Sequence, residues 1–98
     1  MRVHELKTVA YCWDAVESGA KKFEVRRNDR GFQPGDTVVL RKLDSSGINL
    51  AIKSRVPHGR ITYYELKFKI GWILQGGQFG IEPGYCVFSL EPLEVDNA

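Results

Sequence analysis

The chain has 98 residues, 43% of them hydrophobic and 27% charged, with a formal net charge of +2. That is the length of one domain with enough apolar surface for a core, which argues against a second domain and against disorder. The charge is too small to announce a polyanion partner by itself, and no apolar run nears the roughly 20 residues that span a bilayer, so no membrane partner is expected.

The expectation is a single domain over 1–98, with its core from about 3 to 91 and a flexible tail over 94–98. Met1-Arg2-Val3-His4 has no apolar run behind its charge, which predicts no signal peptide and a cytoplasmic protein. Val3 to Lys7 predicts an opening strand, with Val3, Glu5 and Lys7 on one side and His4 and Leu6 on the other. Thr8 is the expected N-cap of a helix of about three turns, in which Val9, Trp13, Val16 and Ala20 recur at helical spacing and Gly19 supplies the stop.

Lys22-Phe23-Glu24-Val25-Arg26 alternates strictly, which predicts a strand with Phe23 and Val25 on the buried face and the charged residues on the other. Asn28 to Gly31 is a loop, and Gln33-Pro34-Gly35-Asp36 has the residues of a β-turn. Thr37 to Leu43 is a strand by composition. Ile48, Leu50 and Ile52 alternate along a fourth, and Arg55 to Arg60, with Pro57 and Gly59, is a loop. Ile61 to Leu74 predicts one long half-buried strand with Leu66, Phe68, Ile70 and Trp72 in register. The glycine-dense Gln75 to Gly80 cannot be regular, and Gly84 to Leu90 closes the domain as an apolar strand.

The expected fold class is therefore β-rich α+β: a small closed or partly closed barrel of five to six strands with one N-terminal helix, a sandwich being the alternative. Trp13 and Val16 would pack the helix onto Phe23, Val25, Val38, Leu40, Phe68 and Val87. Cys12 and Cys86 lack metal-site spacing and read as two reduced, buried thiols, so no metal and no cofactor is expected.

The densest chemistry lies between Gly19 and Arg30. The basic residues Lys21, Lys22, Arg26, Arg27 and Arg30 surround Glu24 and Asp29. As a solvated face, such charges would form ion pairs worth under about 1 kcal/mol each. As a site, a carboxylate flanked by cations stays ionised and accepts hydrogen bonds from a ligand amino group. Lys21, at the helix-to-strand junction, has the position of a general base or nucleophile if it is partly desolvated. The ligand-binding candidates are His4, Lys7, Lys21, Glu24, Arg26, Asn28 and Tyr85. The phosphate-binding candidates are Lys22, Arg26, Arg27 and Arg30. No helix carries a basic face, so nothing predicts a helix reading a DNA major groove.

His4-Glu5-Leu6-Lys7, the stretch from Gly19 to Arg30, Phe32-Gln33-Pro34-Gly35-Asp36, Ile73 to Gly80 and Pro83-Gly84-Tyr85 together resemble a family of phages and bacteria grouped with ASCH domains. The resemblance runs in order from His4 to about Leu90. It implies a PUA-like β-barrel, the fold of RNA-binding domains and readers of modified bases, and RNA or a nucleotide as the partner. One bacterial branch hydrolyses the acetyl amide of N4-acetylcytidine. There a lysine just after the helix glycine, a threonine three residues later and a further glutamate are catalytic. Lys21 matches that lysine, Glu24 stands at the threonine position, and Glu65 and Glu82 are the candidates for the glutamate. Three functions follow as expectations. The first is a binding domain for RNA or a nucleobase through a pocket at the helix–strand junction. The second is an amidohydrolase with Lys21 and Glu24 as catalytic residues. The third is a phage-type accessory protein binding a host protein through the Arg55–Arg60 loop.

Overall fold

A computed structural model describes residues 1–93; the expected tail over 94–98 lies outside the described residues. The alternation of the opening segment decides where the core lies. In β1 (Val3–Thr8) His4, Leu6 and Thr8 are buried, while Val3, Glu5 and Lys7 face out. The helix α1 (Ala10–Glu17) follows, then β2 (Phe23–Arg27), β3 (Thr37–Lys42), β4 (Ile52–Arg55), β5 (Ile61–Tyr63), β6 (Glu65–Gln75) and β7 (Tyr85–Glu91).

Five strands form one sheet in the order β1-β3-β6-β7-β2, with β1 parallel to β3 and every other pairing antiparallel. The sheet curls into a half-barrel, giving a small β-barrel-like α+β fold with β1 and β2 as its open edges. Leu6, Trp13, Val16, Phe32, Val38, Leu40, Ile70, Cys86, Phe88 and Leu90 fill the hollow, with Phe68 packed against them. Trp13 seats the helix: its indole Nε1 donates to the Leu40 carbonyl at 3.1 Å, so its one polar atom is satisfied in the core. Gly19 ends the helical region at φ +83°, and Gly35 takes φ +91° as third residue of the turn that Pro34 opens.

Several expectations are corrected. Thr8 is no helix cap: it ends β1 with its side chain inward, and Val9 precedes the helix with no side-chain cap bond. Ala20 lies beyond the helix and is exposed. The faces of β2 are reversed, with Phe23 and Val25 46% and 47% exposed and Glu24 only 4% exposed. The cause is register, because Glu24 pairs with Phe88 on β7, whose inward residues are Cys86, Phe88 and Leu90. For the same reason the inward residue of β7 is Phe88 and not Val87.

Ile61 to Leu74 is two strands, β5 and β6, and the pair β4–β5 forms a separate two-stranded ribbon. Ile48 is exposed outside any strand, and Leu50 makes only an isolated bridge to Leu43. A bulge breaks the alternation of β6. Three steps from Ile70 to Ile73 face two steps from Leu90 to Phe88, so Ile73 turns inward and Trp72 is left 69% exposed. The half-barrel sheet has five strands, within the expected five to six, and among the described residues the ribbon adds two more. No helix among the described residues is long and apolar enough to cross a membrane.

Candidate binding site at the seam between the edge strands

The two edges of the half-barrel are joined by side chains. Arg26 of β2 donates from one terminal nitrogen to the Lys7 carbonyl and from the other to the Thr8 hydroxyl, both at 3.1 Å. Arg30 donates to the Glu5 carbonyl at 2.7 Å, and Arg2 reaches back to the carbonyls of Arg30 and Gly31. Arg26 and Arg30, expected to hold phosphates, thus spend donors on the open edge of β1. Lys22 and Arg27 remain exposed, with Arg27 5.6 Å from the centre of the Tyr85 ring.

Glu24 sits behind this seam. Its Oε2 is 3.3 Å from Lys21 Nζ and 3.6 Å from Arg26 Nε. Its Oε1 is buried and finds no hydrogen-bond donor among the described residues. A buried carboxylate oxygen without a donor forfeits hydration and gains nothing in return, at a cost of roughly 1–3 kcal/mol or more. Two cavities flank the Lys21–Glu24 pair. One, of about 240 Å³, is apolar and lies at the helix end, walled by Val16, Phe68, Leu90 and Pro92 with Lys21 and Lys22. The other, of about 190 Å³, is walled by Glu24, Val25 and Arg26 on β2 and by Lys7, Thr8 and Cys12 on the opposite side. Lys21, Glu24, Arg26 and Lys7 therefore meet in one neighbourhood, though Lys21 lines the first cavity and the other three line the second.

Matching a family described as "Domain of unknown function (DUF3850)" takes in residues 3–90, from the first strand through the seam to the last strand. The chain belongs to that family. A protein of Escherichia phage P2, printed as "Uncharacterized 12.9 kDa protein in GpA 3'region", is 41% identical over 39 residues. That stretch is 40% of this chain and spans only 36% of the phage protein's length.

Within the family domain, the remaining candidates have structural partners. His4 Nε2 meets Asp36 Oδ2 at 2.9 Å inside the core, with its ring edge-on to Phe32 at 4.7 Å. Asp36 also accepts from the amides of Arg2 and Gln33. Burial alone would raise the Asp36 carboxyl, but the hydrogen bonds from His4, Arg2 and Gln33 outweigh it and hold the group below its ordinary value. Asn28 donates to the Gln75 side chain and accepts from the Phe32 amide. Tyr85 stands with Arg27 and Glu82 around another cavity. Glu65 pairs with Arg41 and Lys67. Neither Glu65 nor Glu82 lines a cavity beside Glu24.

Cys86 is fully buried, and burial pushes its thiol pKa up; Cys12 is half-buried, and both are unbridged. Thr8 and Cys12 are cavity residues that no local pattern singles out. They become neighbours of Glu24 only because β1 and β2 face each other across the seam. Asp36, the partner of His4, was hidden in the same way inside an ordinary turn motif.

Proposed function

We propose that this domain binds a base-sized ligand of the nucleobase type in the seam cavity, with Glu24 Oε1 accepting a hydrogen bond from a ring or exocyclic N–H. The observation that carries this reading is the unpartnered buried oxygen of Glu24, in a residue that lines a cavity next to two cations. A ligand amino group would complete it, while Lys21 and Arg26 hold the other oxygen of the same carboxylate. The cavity volume of about 190 Å³ lies below the roughly 300–1,000 Å³ of pockets that enclose larger ligands. It suits one ring system with the rest of a nucleoside outside. The ASCH-like blocks and the β-barrel-like fold support a PUA-like, base-reading domain, and splayed single-stranded bases are the RNA elements such a pocket takes. Phosphate contacts contribute less here, because Arg26 and Arg30 already serve β1 and leave Lys22 and Arg27.

The test is a ligand-detected NMR screen of nucleosides, modified nucleosides and their N-methylated analogues, with the wild type and Glu24→Gln. Binding should require an N–H donor, weaken at least tenfold in Glu24→Gln, and slow the alkylation of Cys12 on the cavity wall. A ligand bound equally well by both proteins places the site elsewhere. Release of acetate and cytidine from N4-acetylcytidine and water would instead favour an amidohydrolase using Lys21.

A further inference from the structure

The β4–β5 ribbon projects between β3 and β6 and has no part in the seam. Among the described residues its backbone is bonded to the rest of the domain at its root, where the Ala51 amide donates to the Lys42 carbonyl and the Lys42 amide donates to the Tyr64 carbonyl. Beyond the root every residue from Ile52 to Tyr63 is exposed, on both faces of both strands. An isolated two-stranded ribbon in water is marginally stable at best. This one nevertheless exposes Ile52, Val56, Ile61 and Tyr63.

Its charge is one-sided. From Ser45 to Tyr64 there are Lys53, Arg55 and Arg60 and no Asp or Glu, three cations in a chain whose whole net charge is +2. Among the described residues none of the three takes part in an ion pair; Lys53 lies 5.9 Å from the centre of the Tyr64 ring. The acidic Glu17 and Glu65 lie at the root, lining the cleft beneath it, so a polyanion would meet the distal part. Ser54 and Thr62 join hydroxyls across the middle at 2.7 Å, adding polar groups to the same surface.

We propose that the β4–β5 ribbon is an arm that docks in the major groove of duplex DNA, with Lys53, Arg55 and Arg60 on the flanking phosphates. A ribbon lying in that groove turns one face to the base edges and brings the cations along its length to the phosphates on either side. The B-form major groove, about 12 Å wide, admits a two-stranded ribbon, whereas the A-form RNA major groove is too deep and narrow. The arm is independent of the Glu24 cavity, and free nucleosides, which carry no phosphate, test that cavity without engaging it.

The experiment is fluorescence anisotropy of a labelled DNA duplex with the full chain at several salt concentrations. Three phosphate contacts give a slope of log affinity against log salt of about −2.7, or about a 40-fold loss between 50 and 200 mM salt. The triple variant Lys53→Gln, Arg55→Gln, Arg60→Gln should lose that slope while keeping its thermal midpoint. Ser54→Glu with Thr62→Glu, which puts negative charge in mid-ribbon, should weaken binding at least tenfold without touching a cation. A duplex RNA of the same length should bind more weakly than the DNA. The proposal is overturned if the wild type fails to bind duplex DNA at low salt, or if both variants bind as the wild type does. Binding that is equal on RNA, or that is found only on anionic vesicles or an acidic protein, overturns it too.

Discussion

Among the described residues two carboxylates are buried, and they are treated in opposite ways. Asp36 has a partner for each oxygen: Oδ1 takes the Arg2 amide, and Oδ2 takes His4 and the Gln33 amide. Glu24 concentrates its cationic neighbours on one oxygen and leaves the other without a donor. A satisfied buried carboxylate ties strands together, and its worth is paid out in stability. A half-satisfied one is a standing cost in the free protein that a ligand can remove. Burial alone does not separate the two roles; the inventory of donors around each oxygen does.

The largest expected effect is on the satisfied side. Asp36→Ala leaves the buried His4 ring nitrogen and the part-buried amides of Arg2 and Gln33 without their partner, and should lower the free energy of unfolding in urea by about 3–5 kcal/mol. A loss below about 1 kcal/mol would show that the pair holds little. The second effect is in acid. Because the folded carboxyl of Asp36 lies below its ordinary value, its contribution is complete above the unfolded aspartate pKa of about 3.9. It fades as pH falls below that and through the depressed folded value. Acid titration of the melting temperature should be steeper in this window for the wild type than for Asp36→Asn, and equal slopes would remove Asp36 as the cause. The smallest effect belongs to Glu24. Glu24→Gln should shift stability by no more than about 1 kcal/mol, since it removes a charge that was only partly compensated. If it destabilises as much as Asp36→Ala, Glu24 is structural and the contrast between the two sites fails.

The sequence carried the local part of this architecture. Alternation in Val3–Lys7 placed His4 and Leu6 opposite Glu5 and Lys7, and the spacing of Trp13 and Val16 found the buried side of the helix. The Pro34-Gly35 turn was legible because two residues specify it. What failed was non-local. Phe23-Glu24-Val25 has the same alternation whichever face is inward, and apolar content pointed the wrong way. Only the pairing of Glu24 with Phe88 decides the matter. Trp72 was misplaced by a one-residue bulge that no local pattern announces. At the site, the gathering of Lys21, Glu24 and Arg26 was readable from their spacing along one stretch. The occupation of Arg26 and Arg30 by β1 carbonyls was not, because it depends on the first and third elements of the chain curling to face each other.

The arginine-joined seam also bears on how this domain behaves in a crowded solution. The carbonyls of Arg2, just before β1, and of Thr8, at its end, point to the β3 side, where they accept from the amides of Thr37 and of Leu43 just past β3. By alternation, those of Val3, Glu5 and Lys7 point to the unpaired side. Bare carbonyls along an edge strand are a template on which another chain can lay its own strand, the first step toward sheet-to-sheet aggregation. Here two of the three are already taken, that of Glu5 by Arg30 and that of Lys7 by Arg26. A guanidinium does what a neighbouring strand would do for these acceptors, yet it presents no ladder of its own to extend. The same two side chains that close the half-barrel therefore also act as gatekeepers against polymerisation through its first strand.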